Sequence, residues 1–315
     1  MKKRSSFGLF AAPGKMRGLT LVELMIALLL GLLVVGAAIG IFLSNKRAYA
    51  TTEGLGRVQE NVRTAFELMA RDIREAGGNP CDVDLPVANV IINGATQWWT
   101  NWGVGLQGYD QGALPGSLAG TDAIQLLSAG DESVTVTGHA GTTFTVAAHP
   151  YVAGENLMVC DTQQMALFKA SSVAGTTIGH ASSGGNCSDS LGTVPAACAA
   201  GAPAYLYKEN AVISQLHASR WYIAGNGRGG TSLYQATNGA AGQEVAEGVS
   251  NLQLTYLQPD ADASNYVAAD AVTNWGQVRA VRIVLGLTGT ELLGTDGQPL
   301  RRQLEHVVTL RNRNL

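Results

Sequence analysis

The chain reads Arg17-Gly18-Leu19-Thr20-Leu21-Val22-Glu23 and then continues without a charged residue from Leu24 to Leu43. Those 20 residues rise about 1.5 Å each in a helix, so they are long enough to cross a hydrocarbon core of about 30 Å. This stretch therefore predicts a transmembrane helix that begins directly after Gly18 and carries one carboxylate, Glu23, near its N-terminus.

A basic segment precedes this helix. Residues 1–18 contain five cations and no acidic residue, and this charge favours a cytoplasmic N-terminus. An ordinary secretory signal has its cleavage site after the apolar part, whereas here the glycine junction lies before it. We therefore expect a leader at 1–18 and a transmembrane helix at 19–45, with Met16 as an alternative start of translation.

The carboxylate of Glu23 needs a partner within the predicted membrane helix. An ionised side chain deep in lipid costs about 2.5–3.5 kcal/mol, and the nearby helix N-terminus recovers part of that cost through the helix dipole. Two interpretations stay open. Either the carboxylate pairs with a cation, or it lies in the headgroup region and is hydrated there.

The apolar pattern continues past the predicted membrane segment with helical spacing. Apolar side chains recur every three or four residues at Leu55, Val58, Val62, Phe66, Met69 and Ile73. Gly77-Gly78-Asn79-Pro80 then ends the helix, because glycine favours leaving it and proline does not continue it. An amphipathic helix is thus predicted at 46–77, with its apolar stripe packed against the chain's own sheet.

The remaining residues, 78–315, alternate between apolar and polar side chains as strands do. The clearest case is the run Val281, Ile283, Leu285 and Leu287, which should face one side of a sheet. The strand candidates are Asp122–Ser128, Ser133–Thr137, Thr142–Ala147, Asn156–Cys160, Met165–Ala170, Ala204–Tyr207, Ser219–Ala224, Leu233–Ala236, Leu252–Leu257, Val278–Leu287 and Leu304–Arg311. We expect an α+β fold, in which the long N-terminal helix packs on one β-rich domain.

Charge and cysteine spacing exclude several classes of function. Without the five cations of the leader, 16 basic residues remain against 24 acidic ones. This balance of −8 argues against general binding of nucleic acid, which depends on neutralising phosphates. The sequence has no Cys-x-x-Cys pair and no histidine at metal-ligand spacing from a cysteine, so we expect neither a metal nor another cofactor.

Four cysteines lie beyond the membrane segment, which predicts disulfides in an oxidising compartment. Three connectivities are possible. We favour Cys187 with Cys198, because the loop between them is short and rich in Gly, Ser and Ala. That choice leaves Cys81 with Cys160.

A cluster of tryptophans leaves two interpretations open. Trp98, Trp99 and Trp102 lie among Gln, Thr and Asn, a mixture that is common at protein interfaces. These side chains either contact a partner or anchor their long loop to the chain's own sheet.

Two chemical alternatives have weaker support. Asp260 and Asp262 resemble the start of a calcium loop, but Ala271 stands where the final glutamate belongs. A membrane-tethered hydrolase would use His217 or His306, yet no Gly-x-Ser-x-Gly nucleophile motif occurs. We therefore expect a protein without catalytic residues.

The junction resembles the class III signal of type IV pilins and type II secretion pseudopilins. It combines a basic leader, the spacing Gly-x-x-x-x-Glu from Gly18 to Glu23, and an apolar helix. The resemblance implies that a prepilin peptidase cleaves after Gly18 and that the new N-terminal Leu19 is methylated. It also implies that Glu23 pairs with the amine of a neighbouring subunit during assembly.

Further segments resemble PilW-type minor pilins and span the mature chain in order. They are Phe66–Gly77, Arg220–Ala224, Ser232–Tyr234, Val245–Val249, Val278–Ile283 and Val307–Arg313. Pseudopilin J of type II secretion shares much of the C-terminal half of this pattern. The resemblance implies that the β-rich part is an antiparallel, pilin-like sheet domain.

The same resemblance implies a structural role. A minor pilin of this type joins a priming and tip complex for type IV pilus assembly and supports twitching motility and adhesion. Its partners are other minor pilins, the major pilin, a tip adhesin and the prepilin peptidase. It sits in the inner membrane with a periplasmic globular domain before it enters the pilus. The alternative is a pseudopilin J-like tip subunit of a type II secretion system.

Processing at Gly18 is testable. Gly18→Ala should leave most cleavage intact, whereas a bulky residue at position 18 should block it, because the side chain occupies the peptidase subsite beside the cleaved bond. Mass spectrometry of the membrane-extracted protein measures the N-terminus. An unchanged mature N-terminus in the bulky variant would contradict this assignment.

Overall fold

A computed structural model describes residues 18–82, 84–103, 105–193, 198, 204–259, 265–293 and 299–313. The chain divides into two compact units, one up to Glu53 and one from Gly54 onward. Most of the leader, and Asp260 and Asp262 of the calcium hypothesis, lie outside the described residues.

One long helix, α1, runs from Leu21 to Glu75. Its segment Leu21–Lys46 is long and apolar enough to cross a membrane, and none of that segment's most apolar window is buried. The helix ends just before the glycine pair that predicted its end. Gly77 adopts a φ of 71°, the left-handed conformation that glycine favours after a helix, and its amide donates to the carbonyl of Leu127.

The predicted apolar stripe of the second half of α1 is buried from Val62 to Ile73. Val62, Met69 and Ile73 are fully shielded from solvent, and Phe66 packs beside them. These side chains share one core with apolar residues of two β-sheets. From Val62 to Ile73 the stripe therefore packs against the chain's own strands, as expected. The side chains of Leu55 and Val58 lie outside the described residues.

The strands follow the helix. In chain order they are β1 (Val87–Asn89), β2 (Leu106–Tyr109), β3 (Ala123–Ala140), β4 (Thr143–Val146), β5 (Asn156–Cys160), β6 (Met165–Lys169), β7 (Ser172–Ala174), β8 (Thr177–Gly179), β9 (Val212–Gly225), β10 (Thr231–Thr237), β11 (Gln243–Glu247), β12 (Val249–Leu257), β13 (Ala280–Leu293) and β14 (Pro299–Thr309). Short 3-10 turns occur at Ser182–Gly184, Ala269–Ala271, Trp275–Gln277 and Arg311–Arg313.

Strands β1 to β11 form one large sheet. Its main path is β1-β6-β5-β9-β3-β4-β8-β7, with β10 and β11 joined at β9 and with β2 joined at β3. Strand β9 is central, because it pairs antiparallel with β3 along most of its length. Strands β5 and β10 pair with different parts of β9, also antiparallel. Strand β1 pairs with β6 in parallel. The second sheet is antiparallel and has the order β12-β13-β14.

The predicted α+β fold, with a helix packed on a pilin-like antiparallel sheet, is wrong. The structure is 39% strand and 22% helix, with one N-terminal helix and a large multi-stranded sheet. Alternation of side chains locates strands but does not say which strands pair, because pairing depends on residues far apart in the chain.

Individual strands explain the error further. The candidates Asp122–Ser128 and Ser133–Thr137 are parts of one long strand, β3, and Ala204–Tyr207 is not a strand. The short strands β1, β2, β7, β8 and β11 lack a clear period of two. By contrast, Val281, Ile283, Leu285 and Leu287 are all buried, as their alternation predicted.

Buried polar contacts fix the elements around the main core. The Asp72 carboxylate on α1 accepts hydrogen bonds from Trp221 Nε1 at 2.8 Å and from Gln235 Nε2 at 3.0 Å. The Asp122 carboxylate accepts one from the Leu254 amide at 2.8 Å and so joins the large sheet to the small one. Burial raises the pKa of Asp122, but two backbone donors, at Leu254 and Gln111, stabilise its charged form.

The buried stripe predicts a strong local dependence of stability. Ile73→Ala should lower the free energy of unfolding by about 2–5 kcal/mol, because it removes a fully buried side chain and leaves a cavity. Leu68→Ala on the same helix is the matched control, since Leu68 is 45% exposed, and it should cost about 0.5 kcal/mol. Denaturant titration of the detergent-solubilised chain measures both, and equal losses would contradict the packing.

Candidate functional site

The start of α1 carries the residues predicted for processing and assembly. Gly18 and Leu19 precede the helix and are exposed. The Thr20 amide and the Thr20 hydroxyl each donate to Glu23 Oε2 at 3.0 Å. The Glu23 amide donates in return to Thr20 Oγ1 at 3.3 Å. This reciprocal pattern is a capping box, which satisfies amides that the first helical turn leaves free.

The capping box gives Glu23 a local role that our sequence reasoning missed. The spacing Thr20-x-x-Glu23 before an apolar run was the available signal. Only Oε2 is used: Glu23 Oε1 accepts no hydrogen bond within the described part of the chain. One carboxylate oxygen therefore remains available to a partner.

Two disulfides cross-link the β-rich unit, one between distant segments and one across a short loop. Cys81 bonds to Cys160 with a Cα–Cα distance of 6.1 Å, and Cys187 bonds to Cys198 with 5.4 Å. This is the pairing that the loop spacing favoured. The first bond ties the segment after α1 to the end of β5, so it holds the start of the long connection that follows the helix.

The three tryptophans pack against the chain itself. Trp102 is only 6% exposed, and Trp98 and Trp99 are half-buried beside the same apolar cluster. Trp98 and Trp99 meet edge to face with ring centroids 5.9 Å apart. Gly239 permits the approach of Trp99, because a Cβ there would lie 2.6 Å from the indole ring. The cluster therefore anchors its loop to the large sheet.

Trp98 also contacts a cation from the centre of that sheet. The Arg220 guanidinium on β9 lies 4.3 Å from the centroid of the Trp98 ring, within the range of a cation–π interaction. Arg220 Nε and Nη2 both donate to Gln125 Oε1, at 3.1 Å and 2.8 Å. Tyr109 donates to the same oxygen at 3.2 Å.

The histidines of the hydrolase alternative lie in ordinary surroundings. His306 is exposed and packs against Phe66, with the two rings tilted and their centroids 4.4 Å apart. His217 is half-buried beside a groove that Asp72 also lines. Neither His217 nor His306 forms a hydrogen bond with a carboxylate among the described residues. Likewise, no cluster of three or more metal-binding side chains occurs within those residues.

A different pair of histidines packs around Phe144, with His180 buried and His139 half-buried. His139 Nε2 and His180 Nε2 lie 2.9 Å apart, and the Tyr207 amide donates to His139 Nδ1 at 3.0 Å. The His139 proton is therefore on Nε2, which donates to His180 Nε2 and places the His180 proton on Nδ1. Burial lowers the pKa of both side chains to about 4, so the pair is neutral at pH 7.

These features define a class of protein: a β-rich, disulfide-linked domain with an N-terminal apolar helix long enough to anchor it in a membrane. Residues 220–312 match the family model of the type IV pilus-assembly protein W, PilW. The match supports a PilW-type type IV pilus protein, as the sequence resemblance predicted, and involvement in type IV pilus assembly. No curated protein and no solved structure matches the chain.

The matched region has a clear place in the fold. It begins within β9 and includes β10, β11 and the whole of the small sheet. All but the first of the segments that carried the resemblance fall within or overlap it. That family is a component of pilus assembly rather than a known enzyme family.

The pair of His139 and His180 predicts a pH dependence of stability. Unfolded histidines bind protons near pH 6.5, whereas the folded pair does so only near pH 4. The unfolded chain therefore holds more protons between these values, and the free energy of unfolding should fall as the pH is lowered through that window. Thermal unfolding followed from pH 6.5 to pH 5 measures this.

His180→Phe tests the assignment, because phenylalanine fits the aromatic surroundings and does not titrate. It should reduce the slope of melting temperature against pH. His306→Gln, at an exposed position, should leave the slope unchanged. An identical slope in the wild type and His180→Phe would show that the pair is not the source.

Proposed function

We propose that this protein is a minor pilin, which joins a priming and tip complex for type IV pilus assembly and supports twitching motility and adhesion. The exposed apolar segment Leu21–Lys46 carries the proposal. It starts three residues after Gly18 and displays its apolar side chains on every side. A helix that is apolar all round needs lipid or other helices as neighbours. The match to PilW over residues 220–312 supports the pilus as its destination.

The proposed route follows from that segment. The prepilin peptidase cleaves after Gly18 and methylates Leu19, so this chain is a substrate and not a catalyst. The protein then resides in the inner membrane, with its N-terminus in the cytoplasm and its β-rich domain in the periplasm. The two disulfides suit this oxidising compartment. It then enters the pilus and contacts other minor pilins, the major pilin and a tip adhesin. The PilW match favours this role over that of a secretion pseudopilin.

Glu23 is the proposed docking residue. Its Oε2 is held by Thr20, while Oε1 is free of hydrogen bonds within the described residues. The capping box thus fixes the direction of the side chain at the start of α1. In a membrane the free oxygen would gain most from a cation, and the N-terminal amine of an adjacent processed subunit is the proposed partner.

Three variants separate the charge of Glu23 from its capping role. Glu23→Gln keeps an oxygen that accepts from the Thr20 amide, since glutamine also closes a capping box, but it removes the charge. Glu23→Ala removes both. Thr20→Ala keeps the charge and weakens the cap, at a cost of about 1 kcal/mol.

If the charge docks the subunit, Glu23→Gln and Glu23→Ala should both reduce surface piliation and co-purification with other minor pilins. Thr20→Ala should retain most of both. Cleavage and membrane insertion should persist in all three, as mass spectrometry and membrane fractionation would show. Wild-type piliation in Glu23→Gln together with a loss in Thr20→Ala would assign Glu23 to capping alone.

A further inference from the structure

A cavity of about 550 Å³ lies between the loop that carries Trp98 and Trp102, here called the tryptophan loop, and four other elements. These are strands β2, β3 and β9 and the 3-10 turn Trp275–Gln277. Its volume is within the range of small-molecule sites, about 300–1,000 Å³. Its walls combine aromatic rings with amide groups and a single cation. The aromatic walls include Trp98, Trp102 and Trp275.

The cation is Arg220, and it is placed differently from the arginines that form ion pairs. Arg71 pairs with Asp131 at 2.7 Å, and Arg228 pairs with Glu247 at 3.2 Å, and both are more than half exposed. Arg220 is half-buried, and no carboxylate contacts it within the described part of the chain. The cavity lining contains no acidic residue.

Burial of this unpaired charge has a cost. Desolvation lowers the pKa of Arg220, and the neutral Gln125 oxygen that it contacts offsets only part of the lost hydration. Nε and Nη2 both donate to that one oxygen, and Tyr109 also interacts with the guanidinium. A guanidinium has five N–H donors, so further donors remain for an anion. Charge-assisted hydrogen bonds to a carboxylate are about twice as strong as neutral ones.

Two amides add uncharged hydrogen-bonding groups. Gln125 is only 7% exposed, and its Nε2 donates no hydrogen bond to any described residue. Asn101 also lines the cavity, and its side-chain amide has no partner among the described residues. Both amides are therefore available to water or to a ligand in the cavity.

The aromatic walls are held rigidly. Trp102 is buried, and Trp275 packs edge to face on Tyr256 at 4.8 Å between ring centroids. Aromatic faces carry partial negative charge and attract the positively polarised edges of a neighbouring ring. A sugar ring presents such C–H groups on its faces and hydroxyl groups around its edge, which suits a site with both rings and amides.

We propose that this cavity binds a carboxylate-bearing sugar ring, such as a uronic acid unit of a glycan. The Arg220 guanidinium binds the carboxylate, the amides of Gln125 and Asn101 bind hydroxyl groups, and the tryptophan side chains that line the cavity contact the ring. A single unpaired cation matches a single carboxylate. A polyanion fits less well, because the chain without its leader is acidic. This inference does not depend on the role of Glu23.

The test uses the full chain in detergent micelles and three probes: methyl glucuronide, methyl glucoside and acetate. Saturation-transfer NMR reports binding, and quenching of tryptophan fluorescence gives the dissociation constant. Methyl glucuronide should bind about tenfold more tightly than methyl glucoside, because losing one charge-assisted hydrogen bond costs about that factor. Acetate should compete only weakly, because it lacks the ring.

Gln125→Glu is the decisive variant. Its carboxylate has nearly the same shape, so it should accept the same bonds from Arg220 and Tyr109 and keep the fold. The new carboxylate forms an ion pair with Arg220 and repels an acidic ligand, so methyl glucuronide should bind at least about tenfold more weakly.

Arg228→Gln is the control, because it removes a cation outside the cavity lining, and it should leave binding of methyl glucuronide unchanged. Asn101→Ala, at an exposed position, should weaken binding of both sugars without altering the melting temperature.

Several results would overturn the proposal. It is wrong if methyl glucuronide does not bind, or if methyl glucoside binds as tightly as methyl glucuronide. It is also wrong if a folded Gln125→Glu protein binds methyl glucuronide as tightly as the wild type does. Competition by acetate or by a short acidic peptide as strong as that of methyl glucuronide would assign the cavity to carboxylates in general and exclude a sugar site.

Discussion

The burial of one stripe of α1 is the constraint on which the β-rich unit depends. Val62, Met69 and Ile73 are fully shielded from solvent, and their neighbours come from both sheets. Removing apolar surface from water is the main force that favours folding. The Asp72 carboxylate makes this packing specific, because it accepts hydrogen bonds from both Trp221 and Gln235. The position of β9 relative to the helix is thereby set.

The position of β9 in turn decides what the cavity contains. Trp221 and Arg220 are adjacent on this strand, so their side chains point to opposite faces of the sheet. Trp221 enters the core and bonds to the helix, whereas Arg220 lies over Trp98 and contacts Gln125. The interaction that anchors β9 to α1 therefore also presents the cation to the tryptophan loop.

The start of α1 is stabilised by capping and not by burial. Its apolar side chains are exposed, and its first turn is closed by the reciprocal bonds between Thr20 and Glu23. A capping box satisfies backbone amides that would otherwise require water. In a membrane the capping box stabilises the helix more than it does in water, because lipid offers those amides no alternative hydrogen-bond partner. The same carboxylate retains one free oxygen, so capping and docking are compatible.

The sequence by itself determined the features that depend on near neighbours. The apolar run after Gly18, the helical spacing from Val62 to Ile73 and the alternation from Val281 to Leu287 are local patterns, and the structure follows each of them. The short loop between Cys187 and Cys198 is local as well. The capping box was also readable at Thr20 and Glu23, but the carboxylate was interpreted only as a membrane charge.

Only the tertiary structure decided the division of the strands into two sheets, the parallel pairing of β1 with β6 and the contact of Arg220 with Trp98. Each joins residues that are far apart in the chain. A period of two is the same for every strand, whichever partner it has, so local alternation carries no information about pairing. The pair of His139 and His180 shows the same limit, because neither position is unusual until the fold places the two rings together.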